Sequence, residues 1–195
     1  NQGLKILEFP GPLISYEKDS LGLILELNLS NNRLESINTE TLKALHNLKY
    51  LDVSDNLLTS MVTVKINNQN NVPETIGFYP KTLLKLNLEN NKLQHICGLE
   101  YCFSLLELNL SKNCLKSVTG IENLQNLENL DLRENKISNF SGIRTLSFNQ
   151  SLKILQLEKN PLVINNMKGY RAICLSLFNF MINIDGRIMG ERRSG

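Results

Sequence analysis

Tryptophan is absent from this chain, and so is any marked excess of charge. The 21 Lys and Arg against 19 Asp and Glu leave a formal charge of +2 over 195 residues. Near balance argues against a nucleic-acid binder working through a general basic field. No run approaches the roughly 18 consecutive apolar residues of a membrane-spanning helix. Asn1 to Leu7 lack the basic-then-apolar layout of a secretory leader. The chain begins without Met, so it is expected to be cut from a longer protein. Catalytic signatures are missing as well: there is no Gly-rich phosphate loop, no nucleophile elbow and no paired metal-ligand motif. His46 and His95 are the only histidines. His95, Cys97 and Cys102 form an irregularly spaced trio, a weak basis for zinc. Neither an enzyme activity nor a cofactor is therefore expected.

The four cysteines, Cys97, Cys102, Cys114 and Cys174, do not gather at the chain ends, where secreted proteins often place disulfide-closed caps. They read as reduced thiols of an intracellular protein. Four Asn-x-Ser sequons, at Asn28, Asn109, Asn139 and Asn149, point toward secretion, but the first two belong to a repeat and reflect its chemistry.

Leucine and asparagine stand out, and they recur in one frame, L-x-x-L-x-L-x-x-N-x-L. Ile24, Leu27, Leu29, Asn32 and Leu34 form the first copy, and Leu48, Leu51, Val53, Asn56 and Leu58 the second. Further copies start at Leu83, Leu105, Leu127 and Leu152, with asparagine at Asn91, Asn113, Asn135 and Asn160. A degenerate earlier copy is read within residues 1–23, at Leu4, Leu7, Phe9 and Ile14. Alternation of period two makes each Leu-x-Leu a short strand with leucine inward. The Asn amide both donates and accepts, so it can satisfy backbone groups where the chain leaves the strand. Each unit buries its apolar face only against its neighbours, so the array must stack.

Leu83, Leu105 and Leu127 follow each other at about 22 residues, within the range for such units. Gly98, Gly120 and Gly142 recur in the same frame, which predicts a positive φ or a close backbone approach. Segments such as Ile121 to Leu127 suit 3₁₀ or single helical turns. Thr39 to Leu48 is predicted as a short helix with Leu42 and Leu45 inward. The step from Leu48 to Leu83 is longer, about 35 residues, against roughly 20–29 for an ordinary unit. Its Asn67–Asn71 run reads as a flexible loop within an insertion around 59–82. Phe78 and Tyr79 are expected to pack back onto the core.

The stretches LNLENNKLQHICGLE and LNLSKNCLKSVTGIENLQNLENLDLRENKI resemble the 22-residue subclass of intracellular leucine-rich repeats. The likeness runs from Ile24 onward. Asn160-Pro161-Leu162, Tyr170-Arg171 and Ile184-Asp185-Gly186 are similar to the C-terminal cap of that subclass, read over 163–195, although Asn179 stands where the cap usually has Pro. The resemblance implies an α/β architecture, a right-handed leucine-rich-repeat solenoid or horseshoe. It has a parallel concave sheet, a convex side of short helical or 3₁₀ segments, and a cap. It also implies protein binding. Relatives include a regulatory subunit of type-1 phosphatase, the U2 A-prime protein, and axonemal, centrosomal and spindle-pole scaffolds.

In this register the outward strand residues form columns on the concave face. One runs Glu26, Tyr50, Lys85, Glu107, Asn129 and Ile154; the next runs Asn28, Asp52, Asn87, Asn109, Asp131 and Gln156. A flanking column holds Asn31, Asp55, Asn90, Lys112, Glu134 and Lys159. The first two columns, with Asp55, are the candidate site for a partner protein's helix or basic segment. Tyr50 and Ile154 are its exposed anchors. Basic residues gather instead near the C-terminus, at Lys168, Arg171 and Arg187 among others. No direct nucleic-acid or membrane contact is expected, and the isolated chain should be monomeric. The leading reading is a scaffold or targeting domain of a cytoplasmic protein of the cytoskeleton, centrosome or cilium. The alternatives are a regulatory subunit of a phosphatase or other enzyme, or a ribonucleoprotein adaptor.

Overall fold

A three-residue strand has no stability of its own, so these repeats hold shape only by stacking in register. The computed structural model describes residues 6–7, 21–37, 39–66, 73–76, 80–178 and 180–188. In chain order its strands are β1 (Ile6–Leu7), β2 (Glu26–Asn28), β3 (Ser36–Ile37), β4 (Tyr50–Asp52), β5 (Thr63–Ile66) and β6 (Pro73–Ile76). Then come β7 (Lys85–Asn87), β8 (Glu107–Asn109), β9 (Asn129–Asp131), β10 (Ile154–Gln156), β11 (Asn183–Ile184) and β12 (Arg187–Ile188). The strands β2, β4, β7, β8, β9, β10 and β11 lie side by side and parallel, and β12 folds back antiparallel as the edge of an eight-stranded sheet. Their central residues align, Leu27 with Leu51, Leu86, Leu108, Leu130, Leu155 and Ile184. From Leu51 onward these residues are buried and form one continuous core with the other repeat leucines. The fold is a leucine-rich-repeat solenoid.

The return path of each turn is nearly free of regular helix. Helix α1 covers Thr39–Ala44, with Leu42 and Leu45 buried. Between Ile121 and Leu127 the chain makes consecutive single turns, Leu124 N to Ile121 O at 3.0 Å and Leu127 N to Leu124 O at 3.1 Å. A 3₁₀ helix spans Phe140–Phe148, with the Asn139 side chain accepting from Gly142 N. The recurring glycines serve two different needs. Gly120 has φ +107°, and a Cβ there would sit 2.3 Å from the Ile96 carbonyl oxygen. Gly142 has no positive φ, but its Cβ would meet the Lys116 carbonyl at 2.7 Å.

Two segments differ from expectation. The insertion carries an antiparallel hairpin, β5 with β6, in register from Thr63↔Ile76 to Ile66↔Pro73. The Asn67–Asn71 run, Phe78 and Tyr79 lie outside the described residues. Within 1–23, β1 pairs with β3 and not with β2, so Ile6–Leu7 does not extend the concave sheet. The remainder of that stretch up to residue 20 lies outside the described residues.

The asparagines explain why the stack keeps its register. Asn113 donates from Nδ2 to Leu110 O of its own repeat and to Leu88 O of the previous one, while its Oδ1 accepts from Leu93 N. Asn56, Asn91, Asn135 and Asn160 repeat this pattern, each accepting from the previous unit: Leu34 N, Leu58 N, Leu115 N and Ile137 N. All five are buried. Asn32 is only half-buried and donates within its own turn, to Leu29 O and Ser30 O.

Leaving a buried donor or acceptor unpaired costs about 1–3 kcal/mol. Asn113→Ala strands both kinds, so it should lower unfolding free energy by about 3 kcal/mol. Asn32→Ala should cost under about 1 kcal/mol. Urea melts followed by circular dichroism would measure both; equal costs would contradict the ladder as described.

Candidate functional site

Because the strands align, their outward residues share one concave groove of about 750 Å³. Twelve of the thirteen candidate residues line it: Glu26, Asn28, Tyr50, Asp52, Lys85, Asn87, Glu107, Asn109, Asn129, Asp131, Ile154 and Gln156. Asp55 does not. It sits at the left-handed turn after β4, with φ 52°, and accepts from Asn90 Nδ2 at 2.6 Å. The whole flanking column shares that conformation, from Asn31 at 57° to Lys159 at 61°. Its residues are therefore turn positions and not strand positions.

The two groove columns do different work. At the strand ends, Asn28, Asp52, Asn87, Asn109 and Asp131 each accept from the backbone N–H two residues on, that of Ser30, Ser54, Glu89, Ser111 and Arg133. A short Asx side chain reaches this N–H and fixes the turn. Ser54 and Ser111 add a hydroxyl donor to the same oxygen. The Asn-Leu-Ser sequons at Asn28 and Asn109 are thus turn chemistry, with Asp52-Val53-Ser54 as their acidic counterpart. Gln156 has one methylene too many for this bond. At its repeat the Asp185 carboxylate, arriving from beside β10, accepts instead from Leu157 N at 2.6 Å and Glu158 N at 3.2 Å.

The other column carries no such duty. Lys85 Nζ lies 2.9 Å from Glu107 and 5.9 Å from the centre of the Tyr50 ring. Its hydrogen bond to Glu107, and then the carboxylate charge, raise its pKa above the ordinary lysine value. Tyr50 and Ile154 stay 37% and 38% exposed, whereas the other outward side chains of the two columns are polar or charged. Four strand steps separate them, about 19 Å at usual strand spacing. Of the lining carboxylates, Glu107 is paired with Lys85, and Asp131 with Arg133, whose Nε bonds both of its oxygens at 3.0 Å. Glu26 and Asp52 have no cationic partner among the described residues, so the β2–β4 end of the groove is acidic.

Sequence reasoning missed Arg133 and Asp185 as participants in this surface. The signal for Arg133 lies in its place two residues after Asp131, the same offset as the serines. Asp185 had no local signal, because it acts across 28 residues of chain.

A family model for the leucine-rich repeat matches residues 24–66. Solved structures similar to the chain include a leucine-rich-repeat protein of Leptospira interrogans, at 22% identity and TM-score 0.63, over 88% of this chain and 39% of that one. An internalin from Listeria monocytogenes matches at 18% identity and TM-score 0.51, over 86% and 48%. TLR13, solved as a complex with ssRNA13, matches at 26% identity and TM-score 0.53, over 68% and 18%. The chain therefore spans less than half of each of these structures. No curated protein sequence matches it. The likeness is one of fold, and proteins of this fold commonly serve as protein-interaction surfaces.

Among the described residues no three His, Cys, Asp or Glu side chains converge in a way that could hold a metal ion, and no helix is long and apolar enough to cross a membrane. No disulfide joins any of the four cysteines. Burial pushes the Cys102 and Cys174 thiols up to about 12, so at pH 8 only about one in ten thousand is thiolate, the reactive form. Cys97 and Cys114 are partly exposed. Iodoacetamide at pH 8 should therefore label Cys97 and Cys114 in the folded chain and all four in urea, read by peptide mass. Native labelling of Cys102 as fast as of Cys97 would refute this burial pattern.

Proposed function

We propose that this chain is a non-catalytic protein-recognition module whose concave groove receives a helix or basic segment of another protein. The observation that carries this reading is the partition of the groove. The Asx column is committed to folding, whereas the side chains of Tyr50 and Ile154 make no hydrogen bond to the fold and stay partly exposed in the groove. A helix laid between them would span about 13 residues at 1.5 Å per residue. A basic residue near its end would meet Glu26 and Asp52. A phosphate backbone finds little here, since among the described residues Lys85 is the one cation lining the groove and is already paired. TLR13 in its complex with ssRNA13 shares the fold, but this groove favours protein over RNA.

The parent protein is read as an intracellular scaffold or targeting protein of the cytoskeleton, centrosome or cilium. Dispersed cysteines without a disulfide and the resemblance to the 22-residue repeat and its cap support that reading.

Tyr50→Ala with Ile154→Ala is the informative variant, because neither side chain caps a turn, unlike Asp52 or Asp131. Truncating an interface anchor costs about 2 kcal/mol or more, so the pair should weaken a true partner at least 100-fold. Affinity purification beside the intact chain, with circular dichroism to show that both fold, would read the loss. An unchanged set of captured proteins would end the groove hypothesis.

A further inference from the structure

The carboxylates that line the groove, Glu26, Asp52, Glu107 and Asp131, divide by the source of their counter-charge. Two are satisfied from within the chain. Glu107 has Lys85, its neighbour in the same column on β7, at 2.9 Å. Asp131, at the end of β9, has Arg133, with Nε 3.0 Å from both of its oxygens and Nη2 2.5 Å from one. The other two, Glu26 on β2 and Asp52 on β4, have no cationic partner among the described residues. Asp52 stands at the same repeat position as Asp131, through Asn87 and Asn109. Where β9 is followed by Arg133, however, β4 is followed by Ser54. Lys49, beside Tyr50 in sequence, does not line the groove.

Asp52 is nonetheless built to receive a cation. Ser54 N and Ser54 Oγ donate to its Oδ1 at 2.9 and 2.6 Å, and Asn87 Nδ2 donates to its Oδ2 at 3.2 Å. Three neutral donors fix the carboxylate and leave its charge in place. Tyr50 stands beside both unpaired acids, in register with Glu26 on the neighbouring strand and two residues before Asp52 on its own. Residues two apart on a strand share a face, so all three open on the same end of the groove. Lys85 lies on the β7 side of the ring, its Nζ 5.9 Å from the ring centre, so a cation is already accommodated against it. A partly exposed ring flanked by uncompensated carboxylates suits a guanidinium, which stacks on aromatic faces and meets carboxylates through a planar fork. An ammonium offers only a point charge.

We infer that Glu26, Tyr50 and Asp52 form an arginine-receiving site, which sets which end of a groove-bound helix lies over β2 and β4. The partner's guanidinium lies against the Tyr50 ring and shares Glu26 and Asp52, doing from outside what Arg133 does for Asp131. Its helix then runs toward β10, where an apolar residue about 13 positions away meets Ile154. This site rests on the groove's being a helix-binding surface and adds the residue type that the groove selects.

The test uses the full chain and three synthetic helical peptides that differ at one position. Each carries arginine, lysine or citrulline in its first turn and a leucine about 13 residues later. In the first turn the positive end of the helix dipole also faces Glu26 and Asp52. Citrulline keeps the planar shape of arginine without its charge. By fluorescence anisotropy the arginine peptide should bind about fivefold tighter than the lysine peptide, and about tenfold tighter than the citrulline peptide. Asp52→Asn preserves the turn, since Asn28, Asn87 and Asn109 accept from the N–H two residues on in the same way. It should weaken the arginine peptide about tenfold and the citrulline peptide little. Tyr50→Leu, which keeps an apolar side chain, should erase the preference for arginine over lysine. Circular dichroism checks that both variants fold. Equal binding of the three peptides to the intact chain would leave the groove standing as a helix-binding surface and overturn the arginine site. So would an arginine preference that survives in Asp52→Asn combined with Glu26→Gln. Binding of none would overturn both.

Discussion

The amide of asparagine is the constraint on which the rest of this molecule depends. At the exit of each strand the backbone leaves carbonyls and N–H groups that no sheet partner takes, and these are buried. Asn113 shows the solution: donors to Leu88 O and Leu110 O, an acceptor for Leu93 N. Aspartate would lose the donors, and glutamine would overreach by a methylene. Because the asparagine adds to the backbone ladder a bond to the previous repeat made by a short side chain of fixed reach, adjacent units cannot slide by one residue. Parallel pairing in register, the shared core and the aligned outward columns all follow. The exposed ion pairs between repeats, such as Lys112 with Glu89 and Lys159 with Glu134, are screened by water and ride on this arrangement without setting it.

That register has a consequence for recognition. A residue at a strand end is close to the next turn, so its side chain is drawn into local hydrogen bonding; a residue at the strand start is not. Hence Asp52 and Asn109 face the groove yet serve the fold, while Tyr50 and Ile154 face it and remain available. Polarity on the groove floor is accordingly a poor guide to binding. The informative residues are the ones for which the turn has no use.

The strands, their inward leucines and the ladder were legible in the sequence because each rests on a short local pattern repeated six times. Thr39–Ala44 was legible for the same reason, as apolar residues at helical spacing. The candidate groove was legible to the extent that it follows from strand alternation, which puts twelve of the residues on one concave surface. It fails at Asp55, where the chain has already left the strand and entered a left-handed turn. The β5–β6 hairpin was hidden by its lack of internal repetition. Asp185 was hidden because its bonds to Leu157 N and Glu158 N depend on the C-terminal segment returning beside β10, which no local window reveals.

The two ends of the sheet show how a stack must stop. At β2, among the described residues, Ile24, Leu27 and Leu29 are only partly buried and Asn32 bonds only its own turn. At the other end the chain turns back at Asp185–Gly186 instead of continuing. The N–H groups of Leu157 and Glu158 would then lack acceptors, and an acceptor-only side chain is what they require. Asp185 supplies it, and burial and that carboxylate hold the Tyr170 phenol above its ordinary pKa, so it stays protonated and donates back. One acid thus closes the backbone account of the last repeat and is fully used in doing so.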